Sequence, residues 1–167
     1  MKRSKKRQIV IVGAGLIGSI MAIALASVGF DVTVVDGASE KDRIKQNKGR
    51  TYALSRTSKN LLANLGLWDE KKLNVSPIEN IVLSTKRSSS GSIRHLAQFN
   101  KESSEVEPSS YMIEDFYLRT VLGSKLNTNT KTQLINSTEV IQDETTSYET
   151  KLMLSDKSSF TTEILII

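Results

Sequence analysis

The sequence contains no cysteine, one histidine, two prolines and one tryptophan. Without cysteine there is no disulfide, thiolate metal site or cysteine nucleophile, and the chain suits a reducing compartment. The single histidine, His95, excludes a His-rich metal centre and reads as an ordinary loop or strand residue. No metal site is expected. No apolar run approaches the roughly 20 residues that a membrane helix needs; the longest, Ile20 to Ala26, stops far short. No secretory signal is visible, because the apolar segment carries a Gly-rich turn and no cleavage-like site. Aromatic residues are not interleaved with the basic ones, which argues against nucleic-acid binding.

What is present is the balance of a soluble globular chain, with 167 residues, 38% of them hydrophobic and 25% charged. That length suffices for one domain with a core of its own. The net charge of +5 is unevenly placed: five of the seven residues in "MKRSKKR" are Lys or Arg. This stretch reads either as a solvated, frayed tail or as a segment drawn to an anionic membrane surface. The second reading is worth on the order of 1 kcal/mol per basic residue at close range.

Ile9 to Val12 is a short β-branched run followed by glycine, the pattern of a buried strand. Leu16 to Val28 reads as a helix that is apolar almost all round, hence buried on more than one side. Gly29 stops it, and Val32 to Val35 forms a second strand. Strand, tight turn, helix and strand make a βαβ unit, so the predicted fold is α/β and Rossmann-like with a parallel sheet. Residues 37 to 50 are polar and read as loop. A helix is expected from Ser55 to Leu65, with Gly66 as a left-handed cap and Leu67 folding back on the last turn. "PIENIVLS" reads as one alternating strand from Pro77. Nine of the 27 residues from 84 to 110 are serine, with "RSSSGS" as the tip of a hairpin. Tyr111 to Ile113 is extended, and Asp115 caps a third helix with the stripe Leu118, Val121, Leu122 and Leu126. Arg119 reads as a solvated residue of that helix. Gln133–Ile135, Val140–Gln142, Tyr148–Leu154 and Phe160–Ile167 read as strands.

The chemistry concentrates in the first turn. Gly13, Gly15 and Gly18 form G-x-G-x-x-G between strand and helix. The first glycine permits the turn, the second lets backbone approach a pyrophosphate, and the third lets helix and strand pack closely. The helix N-terminus offers free N–H groups to an anion. Gly18, Ala22, Leu25 and Gly29 fall within about 60° of one another on a helical wheel, which turns small residues toward the sheet. Asp36 closes the second strand, where a carboxylate can accept both ribose hydroxyls and opposes a 2′-phosphate. Two dinucleotides, NAD and FAD, remain open at this point. The plain alternative is a tight βα turn with no ligand and Asp36 as a loop residue.

The stretch "GRTYALSRTSKNLLANLGLWDE", residues 49 to 70, narrows the choice. Gly49, Arg50, Ala53, Leu54, Ser55, Ser58, Leu65, Gly66 and Trp68 stand in the pattern G-R-x-x-A-L-S…S…L-G-x-W. The sequence here resembles the flavin-dependent aromatic-ring hydroxylases, in the ubiquinone-biosynthesis branch related to para-hydroxybenzoate hydroxylase. "PIENIVLS" resembles the next strand of that family, and "YMIEDFYLRTVLGSKL" its Y-x-x-E-N-x-x-L segment. The resemblance implies FAD held by Gly13, Ala14, Gly15, Leu16, Ile17 and Gly18 at the pyrophosphate and by Asp36 at the adenosine ribose. It further implies Arg50 reaching the cofactor, Asp115 near the flavin or its ribityl chain, and Val140 where backbone meets adenine. Relatives often carry Asn, Gln or Arg at the Asp115 position, so the aspartate is a departure that replaces a donor with an acceptor.

The resemblance divides the chain into 1–76, an FAD-binding βαβ unit with its following helix; 77–110, the start of a substrate-domain sheet; and 111–167, a return to the FAD-binding domain. In this family the cofactor carries the hard chemistry: NAD(P)H supplies electrons, O₂ the oxygen, and an aromatic ring is hydroxylated. No protein nucleophile is needed, and none is expected. The implied substrate is a polyprenylated phenol of ubiquinone biosynthesis. That implies a cytoplasmic enzyme with peripheral association at the inner membrane surface or within a biosynthetic complex. The final "FTTEILII" is an apolar strand that the family continues with further cofactor-binding segments, so the chain is expected to be an inactive N-terminal portion. The alternatives are an NAD-dependent dehydrogenase and a non-catalytic flavin-fold module that binds prenylated ligands.

Overall fold

The computed structural model describes residues 5–45, 49–86, 93–100 and 107–167. β1 (Lys5–Val12) ends in the β-branched run Ile9 to Val12 and enters the glycine turn. α1 (Leu16–Ser27) follows. Its end is fixed by two backbone bonds, Gly29 N–H to Ala26 O and Phe30 N–H to Leu25 O, with Gly29 at a φ of 102°. This is a Schellman stop that a side chain at Gly29 would strain. Gly29 therefore lies past the helix and is exposed, so it does not face the sheet as expected. α1 also departs from the expectation of burial on several sides. Ser19, Ala22, Ile23 and Ala26 are buried, but Ile17 is 77% exposed and Met21 and Val28 are also open.

β2 (Val32–Val35) is buried along its whole length. The expected loop after it contains a helix, α2 (Glu40–Lys45), which buries none of its residues. Ser39 starts it: its hydroxyl accepts the Asp42 N–H and donates to the Asp42 carboxylate. With no apolar stripe, the only sequence signal was that capping pair. β3 (Thr51–Ser55) then leads into α3 (Arg56–Asn64), capped by Ser55 Oγ accepting the Ser58 N–H. Gly66 stands at a φ of 68° and Leu67 N–H donates back to Leu62 O, as expected of the cap. α4 (Glu70–Leu73) is a single turn capped by Asp69.

The segment expected as one strand from Pro77 is two. β4 (Ser76–Ile78) pairs with a later strand, whereas β5 (Asn80–Lys86) pairs with β6 (Ile93–Asn100). The break falls at Glu79, where the chain leaves one partner strand for another. The antiparallel β5–β6 pair agrees with a hairpin, while its tip, residues 87–92, lies outside the described residues. His95 is an exposed residue of β6, opposite Ser84. β7 (Ser110–Glu114) runs into α5 (Asp115–Thr128). Glu114, not Asp115, occupies the N-cap position, and no side chain caps this helix. β8 (Thr132–Ile135), β9 (Val140–Thr145), β10 (Thr150–Leu154) and β11 (Ser159–Ile166) complete the chain.

Six strands form one sheet in the order β8-β2-β1-β11-β10-β9, and β3-β7-β4 form a second. β8, β2, β1 and β11 are parallel, while β10 runs antiparallel to both β11 and β9. The last strand is thus interior to the sheet, held between β1 and β10, and presents no free edge. Lys6 and Arg7 belong to β1 rather than to a frayed tail: Lys6 pairs with Glu163 at 2.7 Å, and the Arg7 guanidinium lies over the Phe160 ring. The main core packs Ile9, Ile11, Val32 and Val34 against Ala22 and Ile23 of α1 and Leu118, Leu122 and Leu126 of α5. A second cluster gathers Val10, Val35, Leu152, Leu154 and Phe160. Together they fix the carboxyl ends of β1 and β2, where the candidate site lies.

Candidate functional site

The turn after β1 is held by Gly13, whose N–H donates to Val35 O at 2.7 Å and whose φ is 106°. A Cβ at Gly18 would collide with Gly13 O, so the missing side chain is what lets α1 seat on the turn. Gly15 differs. Its φ of −65° is open to any residue, and a Cβ there would have nothing of the chain within 4 Å. A glycine required neither by conformation nor by internal packing leaves open space in front of the helix mouth. That mouth has no side-chain cap and no acidic residue in its first turn, in contrast to the capped α3 and α4. The first N–H groups of α1 are therefore free to meet an anion, with the helix dipole in support.

Asp36 closes one side of this space. Its Oδ2 accepts the Ala14 N–H at 2.5 Å and its Oδ1 accepts the Ala38 N–H at 2.8 Å. Arg43 Nη1 pairs with the same Oδ1 at 3.0 Å, and both side chains are nearly enclosed, at 13% and 11% exposure. Arg43 also donates to Ala38 O and Asn136 Oδ1 at 2.7 and 2.6 Å, joining the ends of β2 and β8. The carboxylate is thus a preformed bracket between the glycine turn and β2. Thr138 N–H donates to Asp36 O at 3.0 Å, which lays the β8–β9 connection beside it. Val140, two residues on, is half-buried and packs against the second core cluster.

A second group forms where β3, β7 and α5 meet. Asp115 N–H donates to Arg50 O at 2.8 Å, which brings these two site candidates together. The Asp115 side chain is 0% exposed; its Oδ1 accepts the Tyr52 hydroxyl at 2.7 Å and its Oδ2 accepts Arg119 Nε at 2.6 Å. Burial, and then the bond to Asp115, hold the Tyr52 phenol above its ordinary pKa of 10.0. The Arg50 guanidinium is exposed and stacks 5.1 Å over the Tyr52 ring. Arg119, expected to be solvated, is instead 15% exposed and ion-paired. The reason is the i,i+4 spacing from Asp115, which places the two on one face of α5.

One arginine from each group, Arg43 and Arg119, reaches a common cavity, whereas Asp36, Arg50, Tyr52 and Asp115 do not line it. It is lined by Ala14, Gly15 and Leu16 of the turn, Arg43 of α2, and Arg119 of α5. Sequence reasoning did not single out Arg43 or Tyr52, and it set Arg119 aside as a solvated helix residue. A capping pair ahead of Arg43 and the Asp115–Arg119 spacing were the available signals. Among the described residues no group of His, Asp or Glu is placed to hold a metal, and no helix is long and apolar enough to cross a membrane.

Comparison with known proteins bears on this geometry. Residues 9–107 match the family model described as ketopantoate reductase PanE/ApbA. The chain is 32% identical over 123 residues to ubiquinone hydroxylase UbiL of Rhodospirillum rubrum, a stretch covering 73% of this chain and 27% of that protein. It is 39% identical over 64 residues to 3-demethoxyubiquinol 3-hydroxylase of Escherichia coli, covering 37% of this chain and 16% of that protein. Among solved structures, p-nitrophenol 4-monooxygenase PnpA of Pseudomonas putida superposes with a TM-score of 0.74 at 14% identity, over 96% of this chain and 40% of that one. PqsL of Pseudomonas aeruginosa, a probable FAD-dependent monooxygenase, gives 0.71 at 16% identity over 96% and 42%. At those identities the likeness establishes the fold. The chain spans about a quarter of the length of UbiL and less than half of either solved structure.

Proposed function

The chain belongs over residues 9–107 to the family described as ketopantoate reductase PanE/ApbA, and we propose that its dinucleotide grip serves FAD in a flavin-dependent aromatic-ring hydroxylase. Its sequence relatives are ubiquinone hydroxylases, and its fold is that of FAD-dependent monooxygenases. On this reading the free amides at the mouth of α1, from Gly15 to Gly18, meet the diphosphate, with Gly15 giving it room and Ala14, its own N–H bonded to Asp36, beside it. Asp36 takes the adenosine ribose, the backbone at Val140 borders the adenine, and Arg50 and Asp115 border the remainder of the cofactor. The bound flavin supplies the redox and oxygen chemistry; the chain grips and orients it. NAD(P)H is the reductant, O₂ the oxygen donor, and a polyprenylated phenol of ubiquinone biosynthesis the substrate. Such a substrate resides in lipid, so the protein works in peripheral contact with a membrane surface.

The same reading keeps the division at residues 77 and 110. The β5–β6 ribbon exposes Ile81, Val82, Leu83, Ile93, Leu96 and Phe99, a surface suited to a larger substrate-domain sheet. Residues 1–76 and 111–167 then form the cofactor domain. We expect this chain to bind cofactor without turning over a phenol.

The observation that carries the proposal is the open space at Gly15 before an uncapped helix. Purified protein incubated with FAD and desalted should be yellow, with flavin absorbance at about 450 nm, a property of the cofactor itself. A colourless product after excess FAD refutes it. The family-model match favours one second reading, a nicotinamide-dependent reductase. Its mark is saturable NAD(H) binding without flavin retention, with NADP(H) disfavoured by the Asp36 carboxylate.

A further inference from the structure

We infer that Arg119 is a direct contact for the diphosphate of the bound dinucleotide, and that Asp115 is the positioning residue that aims it. This rests on the dinucleotide reading above, but not on the choice between FAD and NAD.

Asp115 itself has little left to offer a ligand. It is wholly buried at the start of α5, with one oxygen taken by the Tyr52 hydroxyl and the other by Arg119 Nε. Arg119 is the reverse case. Only its Nε is engaged, and among the described residues its two terminal nitrogens have no protein partner. Those nitrogens carry four of the five N–H donors of a guanidinium. Neither terminal nitrogen is a buried atom left without a partner, so both reach solvent at the cavity and are open to an acceptor from outside the chain.

The position says which acceptor. Arg119 shares its cavity with Ala14, Gly15 and Leu16, the residues that form the open mouth of α1. The enclosed space is about 20 Å³, room for a single water, so a diphosphate would lie across the opening rather than inside it. A guanidinium at that edge gives two parallel charge-assisted bonds to phosphate oxygens. Because Asp115 already fixes the side chain, little rotamer freedom is lost on binding. Glu40 lines the same cavity, and Arg43 there is paired with Asp36. The attraction for an anion thus comes from directed donors rather than from an excess of positive charge.

The test is calorimetric titration of the whole chain with ADP and, separately, with adenosine, which lacks the phosphates. Two variants are compared with the unaltered protein: Arg119→Lys, and the double variant Asp115→Asn with Arg119→Gln, which leaves no uncompensated buried charge. We expect ADP affinity to fall roughly tenfold in each while adenosine affinity holds, the loss of a charge-assisted bond. Arg119→Lys keeps the ion pair and reads the contact if the double variant does not fold. Equal losses for ADP and adenosine, or no loss for ADP, would overturn the inference and leave Arg119 as a partner of Asp115 only. Failure of the unaltered chain to bind ADP overturns it together with the dinucleotide reading. Binding of ADP and NAD without FAD removes the flavin reading and leaves Arg119 in place.

Discussion

Gly15→Ala and Gly18→Ala add the same methyl group three residues apart and should fail in opposite ways. At Gly18 the new Cβ lands against backbone: Gly13 O within collision distance, Gly13 C at 3.2 Å, and Ile11 Cγ2 at 3.5 Å. Gly13 cannot retreat cheaply, since its N–H is bonded to Val35 O and its φ of 106° leaves few alternatives. Overpacking of this kind costs about 1–3 kcal/mol, toward the upper end where the neighbours are backbone. Alanine returns about 0.8–1 kcal/mol in helix propensity. The net loss is roughly 1–2 kcal/mol, or about 2–8 °C in Tm at this chain length.

At Gly15 the methyl meets nothing within 4 Å at an ordinary φ. A gain of about 0.4–1 kcal/mol from a less flexible unfolded chain is offset by a similar loss at an N-cap position. Tm should stay within a degree or two, since the net change is about 0.5 kcal/mol or less. The methyl does stand where a diphosphate must approach, so dinucleotide affinity should drop at least tenfold, about 1.4 kcal/mol. Thermal melts without ligand and quenching of flavin fluorescence on titration separate the two effects. Normal cofactor binding by a well-folded Gly15→Ala protein would refute the reasoning, because the open space would then have no occupant.

Three further outcomes follow from the packing. Tyr52→Phe removes the bond to the buried Asp115 carboxylate and should cost about 1.5–3 kcal/mol in urea unfolding near neutral pH. Because the folded protein holds the Tyr52 phenol above 10.0, its contribution is complete below that pH and is lost as pH rises through the raised value. The gap between the two proteins should therefore narrow only in strong base; a gap that closes by pH 9 contradicts the assignment. Leu122→Ala empties a fully buried position between α5 and α1, and chemical denaturation should show a loss of about 2–5 kcal/mol. Backbone amides of β5 and β6 should exchange with deuterium far faster than those of β1 and β2, since a two-stranded ribbon has little burial to protect it. Equal protection would show that the ribbon is packed.

What the sequence disclosed was what is local. The run Ile9 to Val12, the glycine turn and Val32 to Val35 announce themselves because strand, turn and helix signals stand within 30 residues. The stop at Gly66 with Leu67 was equally legible, being a contact between neighbours in the chain. α2 was hidden because it buries nothing and so has no apolar period. β3 was hidden behind a partner, β7, that lies some sixty residues away. The same distance concealed the site's best-defined contacts: Tyr52 to Asp115 spans 63 positions and Arg43 to Asn136 spans 93. Asp115 looked like a helix cap because a first-turn carboxylate commonly is one. Only the fold shows it facing inward, with Arg119 one turn on as its counterion.

That inward pair bears on why a reductase family and a set of hydroxylases both claim this chain. The family-model match ends at residue 107, before β7 and α5 begin. It therefore contains the glycine turn, Asp36 and Arg50, but neither Asp115 nor Arg119. An adenosine diphosphate is the same molecule whether nicotinamide or flavin is attached to it, so the turn and Asp36 cannot tell the two apart. Discrimination must come from groups beyond the diphosphate. On the proposed reading those are Arg50, stacked on Tyr52, and the Asp115 backbone bonded to Arg50, a bond made only once α5 has folded against β3. Arg50→Ala should thus leave ADP binding nearly unchanged and weaken FAD selectively. If it weakens both alike, Arg50 acts at the diphosphate, and the choice of ring is made elsewhere.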